Sequence, residues 1–503
     1  MVNVTQGCFG EKIPLAVSIL ACKLNRIIPQ NHHSMKSCFH SGGDMEILRG
    51  QPVHDLVGIG FGPSNLAIAV AAREMNSGEG YEKSEPFFLE KREEVVWHPE
   101  MLLPDSKLQV NFLKDLALMR NPQSKYTFLN YLYCQNRLHE FINLRTFFPS
   151  RQEYSDYYLW VAKFFEDRVA YRSEVTSILP VESEDGTVRC LRIDGVDRGA
   201  GRPFVHYARN LSLAVGGQPK FPANVRASTG GHICHSNDTR KTVERICADP
   251  LGRHDILIIG AGQTAGDVFQ YAINGFPNAN ITVLHRGFAF KPQDDTHFVN
   301  EIFFPEAVEM FYQAPEEMRR ELLARHGDVT HSAVDFDLLP VLYDALYQDR
   351  ATGRNRLKIR RFSEVTEARE VGGRAEVRVR DLMSGEADCL SADVAIFATG
   401  YEYPMPEPLL RNLEAYLVKD EAGRYVFERA YHIRRAENFA PKIYAQGYCE
   451  HTHGLSEILL SLMPIRAEEI LKDIGPRQGN GRAEPVLPGE AAGAETARIQ
   501  SVS

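Results

Sequence analysis

The sequence lacks closely spaced cysteines, although it contains nine of them among 503 residues. They lie apart at positions 8, 22, 39, 134, 190, 234, 247, 389 and 449, so no C-x-x-C pair occurs. This dispersion argues against a zinc site and against a dithiol redox centre. It is typical of reduced thiols in a cytoplasmic protein, and we expect neither a metal site nor disulfide chemistry.

Long apolar runs and an excess of positive charge are also missing. The apolar run at residues 13–21 contains Pro14 and is far shorter than the about 20 residues that a membrane-spanning helix needs. The net charge of −9 does not favour nucleic-acid binding, which calls for a basic patch. We therefore expect no membrane and no nucleic-acid partner. A poor signal peptide, or a start of translation near Met35 or Met45, remains an alternative interpretation of this region.

The two ends of the chain differ from the part between them. Residues 1–50 show no sustained apolar periodicity and residues from 475 onward are rich in Gly, Pro, Ala and Glu, so we interpret them as a disordered leader and tail. Between these ends, short apolar runs alternate with helical stretches. Such runs occur at residues 56–59, 87–89, 256–259, 281–284 and 394–397. Continuous apolar strands of this kind are typical of parallel sheets covered on both faces, which predicts α/β architecture.

The first of two glycine motifs spans residues 54–65 and joins an apolar strand to a helix. Gly60 permits a tight turn, and Gly62 lets the backbone approach a pyrophosphate at the start of the helix. Asn65 stands where a third glycine is usual. The next apolar strand ends in Glu90, an acid placed to bind a ribose hydroxyl. This context predicts a dinucleotide site; the alternative is a glycine turn in another α/β fold.

The second motif, at residues 255–266, repeats the order of strand, turn and helix, with Gly260 and Gly262 in the turn. The following apolar strand, residues 281–284, leads to Arg286 where the first site has its acid. An arginine at this point accommodates a 2′-phosphate, which favours NADP over NAD. The alternative is an arginine on an exposed turn.

Two such sites in one chain predict FAD at the first and NADPH at the second. Residues 396–400 end an apolar strand with Ala-Thr-Gly, a run frequent in two-dinucleotide flavoproteins, and residues 213–217 look like a variant of it. Both mark places where the chain crosses between nucleotide domains. We therefore predict two Rossmann-like dinucleotide-binding domains, the NADPH domain inserted in the FAD domain, with a small substrate-binding region. The predicted boundaries are a leader at 1–50, the first part of the FAD domain at 51–245, the NADPH domain with substrate-contacting segments at 250–390, the return to the FAD domain at 391–474 and a tail at 475–503.

The cysteine pattern also narrows the flavin chemistry. Disulfide reductases of this architecture need a redox cysteine pair, which is missing here, and oxidases need no NADPH site. A flavin monooxygenase needs both nucleotides, O2 and a protected pocket. Residues 231–236, which end in His235 and Ser236, resemble the G-x-x-x-H-S signature of class B flavin monooxygenases.

Three longer blocks carry a more specific resemblance. They are residues 101–116 with F-L-K-D-L, residues 291–303 with F-V-N-E-I-F, and residues 453–461 with H-G-L-S-E-I-L-L-S. Together with the glycine motifs they resemble the microbial L-ornithine N5-monooxygenases of hydroxamate siderophore pathways, from about residue 54 to residue 474 and in the family's order.

The resemblance implies an activity. NADPH reduces FAD, reduced FAD takes up O2 as a C4a-hydroperoxyflavin, and the terminal amine of L-ornithine is hydroxylated to N5-hydroxyornithine for siderophore or related metabolite biosynthesis. It implies a cytoplasmic homo-oligomer, either a tetramer or a dimer. No catalytic acid–base dyad is expected, because the flavin carries the chemistry.

The resemblance also assigns substrate-site residues. Lys114 matches a lysine that binds the substrate carboxylate, and Asn300 matches a substrate-binding asparagine. Ser461 matches a serine near the substrate, and Gln109 a glutamine near the reacting face of the flavin. The alternatives are an ion pair between Lys114 and Asp115, an Asx-type cap by Asn300, and a helix-interior serine at 461 that bonds backward.

The expected cofactor contacts lie in the glycine motifs, at the strand ends that follow them and in the resembling blocks. For FAD they are Gly60, Gly62, Pro63, Ser64, Asn65, Glu90, Lys91, Trp97, His98, Gln109 and Ser456. For NADP they are Gly260, Gly262, Gln263, Thr264, Arg286, Asn300, Thr399, Gly400 and Tyr401.

One segment departs from the family pattern. Where the family carries T-N-Y-S-V-V-D, residues 329–335 read V-T-H-S-A-V-D, so Thr330 replaces a substrate-contacting asparagine and His331 replaces a tyrosine. Threonine offers a hydroxyl but no amide, so it presents fewer hydrogen-bonding groups. L-lysine, putrescine, cadaverine and histamine therefore stay open as alternative amines, although Lys114 and Asn300 favour a substrate with a carboxylate. The competing classes are an NADPH-dependent flavin oxidase or reductase and a non-catalytic flavin-binding protein.

Overall fold

The structure, a computed structural model, describes residues 47–48, 50–76, 85–227, 231–330 and 332–475. Of the predicted leader, only residues 47, 48 and 50 are described, and of the predicted tail only residue 475; the rest of both lies outside the described residues. Residues Ile47–Leu48 form a short strand, β1, antiparallel to residues 51–52. The predicted leader boundary at residue 50 is therefore a few residues too late.

The first unit is built around an eight-stranded sheet. Its elements before the chain leaves it are β1, β2 (Gln51–Ile59), α1 (Pro63–Met75), β3 (Phe87–Leu89), α2 (Phe128–Cys134), α3 (Leu138–Leu144), α4 (Arg151–Ala162), β4 (Val169–Ala170), β5 (Ser173–Glu182), β6 (Val188–Asp197), β7 (Arg202–Leu213) and β8 (Gln218–Pro219). The order β4-β3-β2-β7 is parallel throughout, whereas β5, β6 and the first half of β7 form an antiparallel meander. The parallel part has the continuous apolar runs that sheets covered on both faces require.

The second unit is built around a five-stranded parallel sheet in the order β14-β11-β10-β18-β9. Its elements are β9 (Ile233–His235), α5 (Thr239–Ile246), β10 (Asp255–Ile259), α6 (Gln263–Gly275), β11 (Asn280–Leu284), β12 (Lys291–Pro292), α7 (Pro305–Gln313), α8 (Glu316–His326), β13 (Ala333–Val334), α9 (Leu338–Ala351), β14 (Leu357–Arg360), β15 (Ser363–Val371), β16 (Arg374–Asp381), β17 (Ala387–Ala392) and β18 (Val394–Phe397). Strands β15, β16 and β17 make a separate antiparallel sheet that covers one face of it.

The chain then returns to the first unit. The returning elements are β19 (Tyr401–Glu402), α10 (Glu407–Leu410), β20 (Ile443–Ala445), α11 (Glu450–His453) and α12 (Met463–Ile474). Strand β20 pairs with the second half of β7, and α12 packs against α1. The second unit is thus inserted in the first, which confirms the predicted α/β architecture with two Rossmann-like units. The two crossings of the chain pair with each other, as β8 and β19.

The predicted domain boundaries at 245 and 391 are wrong. Strand β9 pairs with β18, and Cys234 and Val243 are buried in the core of the second sheet, so the second unit starts before residue 233. Strand β18 itself lies between β9 and β10, so the return begins after Phe397. The local pattern does not reveal which sheet a strand of three or four apolar residues joins, because that depends on its partners across the fold.

The described residues were also compared with the expectations about disulfides, metal sites and membrane spans. Cysteines 134, 190, 234, 247, 389 and 449 form no disulfide with one another. Among the residues that the structure describes, no cluster of three or more His, Cys, Asp or Glu side chains is arranged to hold a metal ion. Within those ranges, no helix is both long and apolar enough to span a bilayer.

Candidate active site

The first glycine turn follows β2 and leads directly into α1. Gly60 has a φ of +84°, a left-handed conformation that glycine adopts without strain. A Cβ at this position would lie 2.5 Å from the carbonyl oxygen of Ala214. The N–H of Gly60 donates to the carbonyl of Leu89 (2.9 Å), and the N–H of Ala214 donates to the carbonyl of Ile59 (3.0 Å). The turn is therefore fixed between β3 and the segment that follows β7.

The second glycine turn, which follows β10, repeats these backbone hydrogen bonds with a different φ at its glycine. Gly260 has a φ of +141°, and its Cβ would lie 2.3 Å from the carbonyl oxygen of Ala398. The N–H of Gly260 donates to Leu284 (2.9 Å), and the N–H of Ala398 donates to Ile259 (2.8 Å). The two turns thus share one backbone design at the carboxyl ends of parallel strands, where sheets of this class bind their ligands.

Both helices that leave these turns start without a side-chain cap. Gly62 is the N-cap of α1 and Gly262 the N-cap of α6, and a Cβ on Gly62 would meet nothing within 4 Å. Pro63 occupies the first turn of α1, where a missing N–H costs nothing. The first N–H groups of each helix, which include those of Ser64 and Thr264, have no intrahelical partner. A Cβ on Gly262 would lie 3.4 Å from the backbone of Ser332, so the second turn is less open than the first. The unbonded N–H groups at the start of each helix fit the pyrophosphate of a dinucleotide.

Glu90, at the end of β3, bonds the first turn itself. One carboxylate oxygen accepts from the N–H of Phe61 (2.7 Å) and the other from the N–H of Arg92 (2.9 Å). A carboxylate has about four lone-pair sites, so the predicted bond to a ribose hydroxyl is compatible with both contacts. Lys91, the next residue, is exposed.

Asn65 explains why the third glycine of the motif is absent. Its amide group is fully buried and donates to the carbonyl of Gly60 (2.7 Å). Its carbonyl oxygen accepts from the hydroxyl of Ser212 (2.6 Å) and from the amide of Gln446 (3.0 Å). The side chain of Asn65 therefore supports the turn from behind and connects α1 to β7 and to the returning segment.

A buried ion pair completes this network. Arg466 of α12 donates to the carboxylate of Glu457 (3.0 Å), to Gln446 (3.1 Å) and to the hydroxyl of Ser64 (3.2 Å). Glu457 also accepts from the N–H of Gly447 (2.7 Å). Burial raises the pKa of Glu457, and Arg466 opposes that rise. The block at residues 453–461 is thereby fixed against the start of α1.

Gln263 and Asp267 of α6 connect the second turn to its surroundings. The amide of Gln263 donates to Asp267 (2.9 Å), and its carbonyl accepts from the N–H of Asp335 (2.7 Å). The other oxygen of Asp267 faces Arg151 of the first unit at 3.5 Å, and both side chains are largely buried. The side chain of Gln263, predicted to bind NADP, is thus occupied in holding the segment at residues 333–335. Arg151 and Asp267 form an ion pair between the two units.

Trp97 and His98 lie beside this ion pair. The guanidinium of Arg151 lies over the Trp97 ring at 5.9 Å, and the His98 ring is 5.5 Å from the ring of Tyr401. Burial, followed by the charge of Arg151, lowers the pKa of His98 to about 4. His98 is therefore neutral at physiological pH, and this predicted FAD residue meets the predicted NADP residue Tyr401. Burial also raises the pKa of Tyr401 to about 12.

His235 explains the resemblance to the G-x-x-x-H-S signature. Its Nε2 donates to the carbonyl of Gly400 (2.9 Å), and its Nδ1 accepts from the N–H of Asn237 (3.2 Å). The hydroxyl of Thr399 donates to the carbonyl of Lys220. These contacts fix residues 399–401 at the crossing between the units, so His235 supports the crossing and Thr399 and Gly400 form it.

Gln109 and Arg286, two predicted site residues, lie on loops of different units. The amide of Gln109 donates to the amide oxygen of Gln293 (3.1 Å), which joins the block at 101–116 to the block at 291–303. Arg286 is exposed just beyond β11 and, among the described residues, makes no hydrogen bond or ion pair. Its position is that expected of a residue that binds a 2′-phosphate.

Lys114 contacts the turn that carries Asn300. The Nζ of Lys114 lies over the ring of Phe303 at 5.3 Å, and Phe303 ends the 3₁₀ turn Val299–Phe303 that carries Asn300. The amide of Asn300 donates to the carbonyl of Asp295 (2.7 Å). Partial burial lowers the pKa of Lys114. An ammonium group over an apolar ring, removed in part from water, is suited to an anionic ligand.

The alternative pairing of Lys114 with Asp115 is wrong. The carboxylate of Asp115 accepts from the N–H groups of Ala117 (2.9 Å), Leu118 (2.7 Å) and Phe128 (2.8 Å) and is buried. Burial, opposed by these bonds, raises its pKa to about 6. Within the described part of the chain, Lys114 has no carboxylate partner.

Comparison with known proteins identifies the family. The family model for L-lysine 6-monooxygenase/L-ornithine 5-monooxygenase matches residues 52–403. This chain belongs to that family.

Relatives and solved structures agree with this assignment. An L-ornithine N(5)-monooxygenase of Burkholderia cepacia is 40% identical, over 81% of this chain and 91% of that protein. The solved structure of an ornithine hydroxylase from Pseudomonas aeruginosa is 37% identical with a TM-score of 0.78, and covers 84% of this chain and 98% of that chain. A Kutzneria sp. 744 ornithine N-hydroxylase, solved with reduced FAD, NADP+ and L-ornithine, is 32% identical with a TM-score of 0.80, and covers 85% of this chain and 100% of that chain.

The other residues that the family resemblance assigned, Thr330, Ser456 and Ser461, are not joined to Lys114 by any hydrogen bond or ion pair between described residues. Thr330 follows a 3₁₀ turn, and its hydroxyl is buried with no hydrogen-bond partner among the described residues. Its neighbour His331 lies outside those residues. Ser456 and Ser461 are both buried, but Ser461 lies in the turn before α12, so its interpretation as a helix-interior serine is wrong.

Sequence reasoning missed the residues that hold this candidate site together. They are Ser212, Gln446, Glu457 and Arg466 behind the first turn, and Arg151 with Asp267 between the units. The substitution of Asn65 for glycine was the one local signal, because a buried amide needs partners. Charged residues such as Arg466 gave no such signal, because the side chains of arginines in helices are usually exposed.

Proposed function

We propose that this chain is an FAD- and NADPH-dependent monooxygenase that hydroxylates the terminal amine of L-ornithine to N5-hydroxyornithine. The observation that carries the proposal is the repeated glycine turn: two turns with the same pattern of backbone hydrogen bonds stand at the carboxyl ends of parallel strands in two sheets. In balanced form, L-ornithine, NADPH, H+ and O2 give N5-hydroxyornithine, NADP+ and water.

The two nucleotides are assigned by the residues that follow each turn. FAD is placed at the turn of Gly60 and Gly62, where Glu90 serves a ribose hydroxyl. NADPH is placed at the turn of Gly260 and Gly262, where Arg286 supplies a cation for the 2′-phosphate. When bound, NADPH supplies two electrons and reduced FAD supplies the activation of O2. The first unit is accordingly proposed as the FAD domain and the second as the NADPH domain.

The substrate is held by its α-carboxylate. Lys114 has no carboxylate partner within the described residues and is partly desolvated, so an ion pair with the substrate would offset the cost of burying its charge. Asn300, on the turn that packs against Lys114 through Phe303, offers a side-chain amide to the same ligand. This arrangement favours an amino acid over putrescine, cadaverine or histamine, which have no carboxylate.

Further properties are proposed from the family. We propose siderophore or related metabolite biosynthesis as the pathway, a cytoplasmic location, and a homo-oligomer that is a tetramer or a dimer. Light scattering coupled to size exclusion measures the oligomeric state directly; a monomer at micromolar concentration contradicts this part of the proposal.

The test is product formation by the purified FAD-loaded enzyme with NADPH and O2. L-ornithine, L-lysine, putrescine, cadaverine and histamine are compared by the hydroxylamine that each yields. Hydroxylamine from L-ornithine supports the proposal and shows that Thr330 serves in place of asparagine. Hydroxylamine only from another amine retains the reaction and changes the substrate. NADPH consumption that yields only H2O2 with every amine favours the oxidase alternative.

A further inference from the structure

We propose that Arg361 is a second residue that selects the 2′-phosphate of NADPH, acting beside Arg286 and positioned by Phe288. This inference rests on the proposed NADPH site in the second unit. It concerns the outer edge of that site, at the carboxyl ends of the neighbouring strands β11 and β14.

The topology places the chain segments that carry the two arginines next to each other. Strands β11 and β14 are parallel, with Leu284 paired to Arg360, so the residues after each strand leave the sheet together. Three backbone hydrogen bonds continue this pairing beyond the strands. They join the N–H of His285 to the carbonyl of Arg360 (3.1 Å), the N–H of Ser363 to the carbonyl of His285 (2.9 Å), and the N–H of Phe362 to the carbonyl of Gly287 (3.2 Å).

The electrostatic surroundings of Arg286 and Arg361 set them apart from nearby arginines. Both are exposed and, in the described part of the chain, neither has a carboxylate partner. In contrast, Arg360 pairs with Asp388 (2.7 Å), Arg374 with Asp255 (2.7 Å) and Arg380 with Glu364. The charge of Arg361 adds to burial in lowering the pKa of His285, which places that charge close to the residue before Arg286. Two neighbouring cations without an anion repel each other, and a phosphate dianion would relieve that repulsion.

Phe288 gives Arg361 a fixed orientation. The guanidinium of Arg361 lies over the Phe288 ring at 5.3 Å, and the ring of Phe362 lies 6.0 Å from the same ring. Phe288 is 69% exposed, so it is not a core residue. A guanidinium stacked on an aromatic face keeps the N–H groups on its edge free to bind phosphate oxygens. The ring therefore prepares Arg361 for an anion that arrives from solvent.

The test uses the FAD-loaded enzyme and calorimetric titration with adenosine 2′,5′-bisphosphate and with 5′-AMP. These two probes differ only in the 2′-phosphate. Arg361→Ala is expected to weaken the bisphosphate by roughly 10-fold, the effect of one charge-assisted contact at an exposed site, and to leave 5′-AMP unchanged. Arg361→Lys is expected to retain part of the binding, and Phe288→Ala to lose a smaller part. Arg360→Ala is the matched control, because that arginine is adjacent but already paired with Asp388.

Each other outcome overturns a defined part of the argument. If the wild-type enzyme binds both probes equally, the proposed NADPH site is wrong. If Arg286→Ala loses the preference for the bisphosphate but Arg361→Ala keeps it, the NADPH site stands and the inference about Arg361 fails. If Arg360→Ala weakens the bisphosphate as much as Arg361→Ala, the effect is one of general charge and the inference also fails. Equal weakening of both probes in Arg361→Ala likewise excludes selection of the 2′-phosphate.

Discussion

The change Arg466→Met removes the charge that balances Glu457 inside the first unit. The two side chains are 4% and 0% exposed, so water does not screen the charge that remains. Breaking a buried ion pair from one side costs about 3–5 kcal/mol of folding free energy. The N–H groups of Gly447 and Cys449 still donate to Glu457, so we expect a value near the lower end, about 3 kcal/mol. Because Arg466 also bonds Ser64, FAD is expected to dissociate at a lower temperature.

The assay is thermal unfolding of the FAD-loaded enzyme, followed by the rise in flavin fluorescence. The double variant Arg466→Met with Glu457→Gln removes both charges and is expected to recover most of the lost Tm. Arg434→Met is the matched control: its pair with Glu428 is exposed (side chains 51% and 34%), so its loss is expected to cost at most about 0.5 kcal/mol. A single variant as stable as the wild type, or a double variant as unstable as the single one, would refute the reasoning.

The pH dependence gives an independent check on the same pair. Burial raises the pKa of Glu457 above its ordinary 4.5 in the folded state, so the ionised carboxylate destabilises the fold as pH rises through that window. Removal of Arg466 raises the pKa of Glu457 further, so the loss of folding free energy at high pH, where Glu457 is ionised, becomes larger. The difference in Tm between wild type and Arg466→Met is therefore expected to shrink from about pH 8 to about pH 5. A difference that widens on acidification contradicts this.

Three further predictions concern the proposed substrate lysine, the proposed 2′-phosphate arginine and the ion pair between the two units. Lys114→Ala is expected to raise the KM for the amine by roughly 10- to 100-fold while NADPH oxidation continues as H2O2 production, because a charge-assisted bond to the carboxylate is lost; an unchanged KM contradicts the carboxylate role. Arg286→Ala is expected to weaken NADPH by roughly 10-fold or more and NADH little, as measured by steady-state kinetics; equal losses would show that the 2′-phosphate assignment is wrong. Asp267→Asn and Arg151→Met are each expected to increase H2O2 release per NADPH, and the double variant no further, since both remove one ion pair; additive effects would contradict a shared role.

The local parts of the site could be predicted from sequence. A glycine turn between a strand and a helix is encoded in about a dozen consecutive residues, so Gly60, Gly62, Gly260 and Gly262 could be found without the fold. Arg286 could be singled out as a candidate for the same reason, since its place just after β11 follows from its distance along the chain. Domain boundaries could not, because the partners of β9 and β18 are set by sheet pairing across the second unit.

By itself, the sequence determined the class of fold and the two glycine turns of this protein. Only the tertiary structure decided what supports them. Arg466 reaches Ser64 across 402 residues, Arg151 meets Asp267 from another unit, and the segment of Arg361 lies next to His285 because β11 and β14 are neighbours. The physical reason is that a turn obtains its conformation from its own residues, whereas a buried charge or an anion site obtains its partners from whichever strands and helices the fold brings next to it.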